Sequence, residues 1–194
     1  DRNVTVRDRG RGIPLGKLVD VVSKMNTGAK YDSKVFKKSV GLNGVGIKAV
    51  NALSSSFIIK SFRQGEVKSA LFKEGILLEE KLDKIPEVKN GVEIAFEADE
   101  KLFGNYQFVP EYVELLLKNY TFLNAGLVIN FNGKKYRSKN GLLDLLNENM
   151  SSEGIYNIIH LTGEDIEIAI THGRQYGEEY YSFVNGQHTT QGGT

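Results

Sequence analysis

Asp8-Arg9-Gly10-Arg11-Gly12-Ile13-Pro14 and, further along the chain, Gly41-Leu42-Asn43-Gly44-Val45-Gly46 are the two stretches on which the fold turns. The first leaves Asn3-Val4-Thr5-Val6-Arg7-Asp8, where polar and apolar residues alternate with the period of a half-buried strand. The second runs into Gly44 to Leu53, whose apolar residues Val45, Ala49, Val50 and Leu53 have helical spacing. One cluster therefore sets a carboxylate at a strand tip, and the other opens a helix directly out of glycines.

Neither cluster fits the common phosphate-loop patterns. A dinucleotide fingerprint needs Gly-x-Gly-x-x-Gly, whereas the second cluster has Gly-x-x-Gly-x-Gly, and a Walker loop needs Gly-Lys-Ser/Thr where this chain has Gly46-Ile47-Lys48-Ala49. The physics behind those patterns still applies. Glycines at a helix start let the backbone approach a ligand, and the unpaired N–H groups of the first turn, aided by the helix dipole, favour an anion. The intervening stretch adds Lys30, Lys34, Lys37 and Lys38 against the single Asp32, so a polyphosphate is the expected anion. Asp8 can accept from an exocyclic amine such as adenine N6, a charged hydrogen bond worth about 1.5–3 kcal/mol that guanine's 6-oxo group cannot make. Taken alone, the glycines are equally compatible with tight turns, the lysines with a solvated face, and Asp8 with turn chemistry.

Outward from these motifs, the elements form no regular βαβ alternation. Leu15 to Met25 has helical periodicity, and Gly28 to Gly41 reads as a long functional loop. Phe57 to Phe62, Val67 to Lys73 and Val92 to Ala98 read as strands. Pro110 opens a helix to about Leu123 with Tyr112, Val113, Leu116 and Leu117 on one face. Asn132-Gly133 joins a hairpin of Leu127 to Phe131 and Lys134 to Arg137, and Leu142 to Leu146 is a short helix. Ser151 to Gly154 is a linker, followed by strands at Ile166 to Thr171 and Tyr180 to Val184. The order predicts an α+β sandwich of helices on one sheet.

Composition agrees. The 194 residues carry 25 Lys+Arg against 24 Asp+Glu, no Cys and no Trp, which excludes disulfide scaffolds and thiolate metal sites and suits a reducing cytoplasm. A formal net charge of +1 lacks the basic excess of a dedicated DNA-binding domain. No apolar run approaches the ~20 residues that span a bilayer, so no membrane partner is expected. The chain starts without Met in a strand-like stretch, and we read it as a fragment.

Asp8-x-Gly10-x-Gly12-Ile13-Pro14, and Gly41 to Gly46 continuing into Lys48-Ala49-Val50-Asn51-Ala52-Leu53-Ser54, resemble the adenine and phosphate motifs of the GHKL ATPases. More narrowly they are similar to the B subunits of bacterial type II topoisomerases. Asn119 to Gly126, Tyr136 to Leu146 and the ending Gln187-His188-Thr189-Thr190-Gln191-Gly192-Gly193-Thr194 extend the resemblance along the chain. Histidine kinases, MutL proteins and ninety-kilodalton chaperones share Asp-x-Gly-x-Gly but lack Val50-Asn51-Ala52-Leu53-Ser54 and the Gly-Gly-Thr ending.

The resemblance implies a two-layer GHKL ATP-binding domain over residues 1–153, lacking its first helices, and the start of a transducer domain over 154–194. It implies ATP with Mg2+ as cofactor. Asp8 would lie on the adenine amine, Gly10, Gly12, Ile13 and Pro14 around the pocket, Arg11 against the base, and Val92 beside the adenine. Gly41, Leu42, Asn43, Gly44, Val45 and Gly46 would surround the triphosphate, with Lys30 on a lid. Arg63 matches a rim residue that contacts aminocoumarin inhibitors, and is equally readable as an ordinary strand-end charge.

Implied partners are a second copy, a topoisomerase A subunit that cuts the DNA, and DNA through the assembly. The general-base Glu and Mg2+-binding Asn are expected upstream of Asp1, so no catalytic residue and no metal ligand is assigned here. This chain departs from the pattern at Asn43 (often His), Phe36 (a Tyr in some members) and Val92 (usually a Thr). Its Leu15-Gly16-Lys17 loop is short, which inclines the reading to topoisomerase IV over gyrase. A nucleotide-binding switch that does not hydrolyse ATP is the alternative from another class.

Overall fold

The structure, a computed structural model, describes residues 2–25, 27, 44–174 and 176–189. It divides into two compact units, Asp1–Phe108 and Val109–Thr194.

The first unit is built on a five-stranded antiparallel sheet: β1 (Asn3–Arg7), β2 (Ser54–Arg63), β3 (Glu66–Lys73), β4 (Ile76–Lys84) and β5 (Gly91–Ala98), in the order β1-β5-β2-β3-β4. Side chains alternate between faces, so register decides which residues meet. On one face Phe96, Phe57 and Phe72 form a row across three strands, followed by Ile94, Ile59 and Ala70 and then by Val92, Ser61 and Lys68.

Helices α1 (Leu18–Ser23, entered by a tight turn at Leu15–Lys17) and α2 (Gly46–Ala52) pack on this face. Leu18, Val22, Phe57, Ile59, Ala70 and Phe72 are almost wholly buried there, with Ile13, Ile47, Val50 and Val92 packed around them. Each fully buried large side chain contributes about 1.5–3 kcal/mol, which makes this layer the main stabilising contact of the unit. Asn51 ties the two helices, its Nδ2 donating to the Val22 carbonyl at 3.0 Å.

The opposite face carries the row Arg7–Glu93–Lys60. Both cations reach Glu93, at 3.2 and 2.9 Å, and the Arg7 guanidinium lies 3.6 Å from the centre of the Phe62 ring. Lys60 first, then Arg7, holds the Glu93 carboxyl below its ordinary range.

Strand β4 has no counterpart in the sequence reading. Ile76-Leu77-Leu78 does not alternate, and the register slips between Leu71 and Phe72, so the period-2 signal is lost although the strand pairs along all of β3. Helix α3 (Glu100–Phe103), also unread, is a single turn capped by Asp99, whose Oδ1 accepts from the Lys101 N–H at 2.9 Å.

The second unit holds α4 (Pro110–Leu123), the hairpin β6 (Val128–Phe131) and β7 (Lys134–Arg137), and α5 (Leu142–Asn149). Two strand pairs follow: β8 (Ile159–Thr162) with β9 (Glu167–Ile170), and β10 (Phe183–Val184) with β11 (Gln187–His188). The expected face of α4 is corrected. Tyr112 and Leu116 are 75% and 53% exposed, while Thr121 and Phe122 are the buried residues. The less exposed stripe therefore passes through half-buried Val113 and Leu117 to buried Thr121, four residues apart, rather than through every apolar position.

Ser138, Lys139 and Asn140 precede α5, and all three donate to Asp144. Its Oδ2 accepts from Ser138 Oγ at 2.6 Å and from the N–H groups of Lys139 and Asn140 at 3.1 and 3.0 Å, while Asn140 Nδ2 reaches Oδ1 at 2.9 Å. These bonds, the Ser138 hydroxyl first, lower the Asp144 pKa to about 2.

Candidate nucleotide site

β1 ends at Arg7, and Asp8 is the first residue past it on the solvent-exposed tip of the sheet. Its main chain stays paired, the Asp8 N–H donating to the Val92 carbonyl at 2.9 Å. Its Oδ1 accepts from the Gly10 N–H at 2.7 Å and from the Val92 N–H at 3.3 Å. No described residue donates to Oδ2. One oxygen is thus fixed by two backbone donors and the other has no donor among the described residues, so turn chemistry and a free acceptor coexist in one exposed carboxylate.

The turn after Asp8 lies close against the neighbouring strands. Gly12 has φ +74°, and a Cβ there would stand 2.6 Å from the Phe62 carbonyl oxygen; at Gly91, φ +151°, it would stand 2.1 Å from the Asp8 carbonyl oxygen. Only glycine lets these backbones approach so closely. A Cβ on Gly10 would stand 3.0 Å from Asp8 Oδ1.

Beyond Gly12, Ile13 turns inward. Its side chain and that of Val92 both pack against the core cluster, and the Val92 main chain is the one bonded to Asp8. Pro14, Arg9 and Arg11 are all exposed. Arg63 ends β2 one residue beyond Phe62, whose partner across the strands is Gly91, and therefore reaches the same end of the sheet as Asp8. It makes no ion pair among the described residues.

Of the second cluster, Gly44, Val45 and Gly46 are described; Gly41, Leu42, Asn43 and Lys30, with Phe36, lie outside the described residues. Gly44 has φ +57° and Gly46 begins α2, whose first turn no side chain caps. A Cβ on Gly46 would meet nothing within 4 Å among the described residues.

Two residues near these motifs escaped the sequence reading. Lys48 is 8% exposed, its ammonium donating to the Gly44 carbonyl and, at 3.4 Å, to that of Thr27, with no carboxylate partner among the described residues. Ser61 is fully buried, and its hydroxyl both accepts from the Ile13 N–H at 2.9 Å and donates to the Ile13 carbonyl at 2.7 Å. The signal for Ser61 was legible: it is the one polar residue in the inward series Phe57, Ile59, Ser61.

A cavity of about 660 Å³ in the second unit, lined by Asn147, Met150, Tyr156, Thr171 and neighbours, draws on none of these residues. Among the described residues no helix is long and apolar enough to cross a membrane, and no three His, Cys, Asp or Glu side chains gather as a metal site.

Comparison with known proteins matches these features to one group. No family model matches the chain. The B subunit of DNA topoisomerase 4 from Borreliella burgdorferi is 48% identical over 192 residues, which is 98% of this chain and 32% of that protein. The B subunit of DNA gyrase from Helicobacter pylori is 32% identical over 213 residues, 97% of this chain and 27% of that protein. The chain thus spans about a third or less of the length of these curated relatives. Among solved structures, the 43K ATPase domain of Thermus thermophilus gyrase B, in complex with an aminocoumarin, superposes with a TM-score of 0.65 at 23% identity, covering 88% of this chain and 48% of that one. The similarity runs through both units, and the fold is the mixed α+β fold of the GHKL ATPases. In sequence and in fold the chain belongs to the family of bacterial type II topoisomerase B subunits, over their ATPase region.

Proposed function

We propose that this chain binds ATP between the Asp8 turn and the Gly44–Gly46 helix start. The parent protein would be a type II DNA topoisomerase in which nucleotide binding closes a dimer of B subunits around DNA and hydrolysis reopens it. The observation that carries the reading is the Asp8 carboxylate: Oδ1 is held by two backbone N–H groups, and Oδ2 is left without a donor among the described residues. Such an acceptor fits the donating 6-amino group of adenine and disfavours the 6-oxo group of guanine.

The described residues fit the nucleotide. Ile13 and Val92 would lie under the base, Arg11 and Pro14 beside it, and Gly10 and Gly12 would keep the approach open. Gly44, Val45 and Gly46, with Gly41, Leu42 and Asn43 before them, would take the phosphates; the buried ammonium of Lys48 places a positive charge at the same helix turn. Lys30 is assigned to the lid. Mg2+ would arrive on the triphosphate, whose charge it neutralises. The base that activates water is assigned to a Glu outside these residues.

The identity of 48% to a topoisomerase 4 relative favours topoisomerase IV over gyrase, whose B subunit from Helicobacter pylori is 32% identical. A topoisomerase A subunit and a second copy are the proposed partners, aminocoumarins the proposed inhibitors, and the cytoplasm the proposed compartment. Residues 154–194 are assigned to the start of the transducer domain. Calorimetry of the full-length protein with a non-hydrolysable ATP analogue tests the core of this: saturable binding is expected, and no heat of binding at millimolar analogue would overturn it.

A further inference from the structure

We infer that Ser61 is a positioning residue for adenine recognition, an inference that rests on the ATP-binding reading above. Ser61 lies in β2, an interior strand whose backbone is engaged on both sides, with Lys68 of β3 opposite on one and Val92 of β5 on the other. The loop from Arg9 to Pro14 crosses this strand and cannot bond to its main chain. Both main-chain groups of Ile13 turn to the Ser61 hydroxyl instead, the N–H donating to it at 2.9 Å and the carbonyl accepting from it at 2.7 Å. One fully buried side chain thus satisfies a donor and an acceptor of one loop residue.

The consequence reaches Asp8 through the loop. Gly12 is pressed to where a Cβ would stand 2.6 Å from the Phe62 carbonyl oxygen and 3.2 Å from Ser61 Oγ, and Gly10, two residues back, donates the 2.7 Å bond that fixes Asp8 Oδ1. The height of the loop over β2 therefore sets the orientation of the Asp8 carboxylate as well as the position of Ile13. Ser61 is itself 0% exposed, so its effect on recognition is exerted through Ile13 and Gly10.

Ser61→Ala removes the partner of both Ile13 groups while leaving strand and core volume almost unchanged. In the full-length protein we expect its affinity for a non-hydrolysable ATP analogue to fall about tenfold, the scale of a buried polar pair left unsatisfied. The preference for the ATP analogue over its GTP counterpart should narrow by a similar factor. Phe72→Leu, a core change remote from the loop, is the control: it should lower the melting temperature and leave the preference intact.

An Ala variant that keeps wild-type affinity and preference would overturn the inference. So would one whose loss is matched by Phe72→Leu at equal melting temperature, since the role would then be structural only. A wild-type protein that binds no adenine nucleotide would instead defeat the ATP-binding reading and this inference together.

Discussion

Asp8 and Val92 hold each other from two sides: the Asp8 N–H donates to the Val92 carbonyl at 2.9 Å, and the Val92 N–H donates to Asp8 Oδ1 at 3.3 Å. The first bond continues the β1–β5 ladder by one residue, and the second fixes Oδ1 and leaves Oδ2 without a donor among the described residues. A residue at a strand end usually frays. This one is fixed in both main chain and side chain.

That junction tolerates no side chain at Gly91, whose Cβ would stand 2.1 Å from the Asp8 carbonyl oxygen. Gly91→Ala should destabilise the protein by roughly 2–4 kcal/mol, because either the strands separate or the backbone strains. Urea denaturation followed by circular dichroism measures it. A change under about 0.5 kcal/mol would show that the β1–β5 junction is not as close as described.

Asp144 gives a pH dependence with a definite sign. Its folded pKa of about 2 lies below the ordinary carboxylate value, the Ser138 hydroxyl and the Asn140 N–H being the leading causes. A depressed carboxylate stabilises the fold above the unfolded pKa, about 3.9, and that stabilisation is lost as pH falls through about 4 towards 2. Wild type and Asp144→Ala should therefore differ in urea midpoint at about pH 6 and converge near about pH 2. A constant difference across that range would contradict the assigned hydrogen bonds.

How much was legible follows from where each signal is stored. β1, β2, β3 and β5 were readable from alternation, and α2 from its spacing, because burial on one face imposes those periods. β4 was not, because a bulge and its edge position free it from alternation. The face of α4 was misassigned because apolar content does not say which neighbours an element meets; Tyr112 and Leu116 are apolar and exposed.

At the site, Asp8 and the glycines announced themselves by type. What they touch did not: the pairing of Asp8 with Val92, and of Ser61 with Ile13, joins residues 84 and 48 positions apart, which no local pattern encodes.

Core packing predicts the cost of truncation. Phe57 is 0% exposed, and its ring meets Phe72 edge to face at 6.0 Å. Phe57→Ala should cost about 3–5 kcal/mol, through lost transfer energy and the cavity left behind. Thermal denaturation would show it, and an unchanged melting temperature would mean that this face is not the core.

Arg63 separates inhibitor binding from fold. It makes no ion pair among the described residues, so Arg63→Ala should alter stability by no more than about 0.5 kcal/mol. Aminocoumarin affinity should fall about tenfold, the scale of a lost charged hydrogen bond, while ATP-analogue affinity stays within about threefold. Equal inhibitor affinity in both proteins would return Arg63 to the status of a strand-end charge.

Adenine is read by Oδ2 of Asp8, the oxygen without a donor among the described residues, and Asp8→Asn in the full-length protein tests this proposal most directly. The amide can keep an oxygen toward the Gly10 and Val92 N–H groups, so the fold should survive, while the group in place of Oδ2 changes from an acceptor to a donor. ATP-analogue affinity, measured by calorimetry beside a melting curve, should fall by about tenfold to a hundredfold at nearly unchanged melting temperature. An Asp8→Asn protein that binds the analogue as tightly as wild type, with the same preference over GTP, would contradict the account.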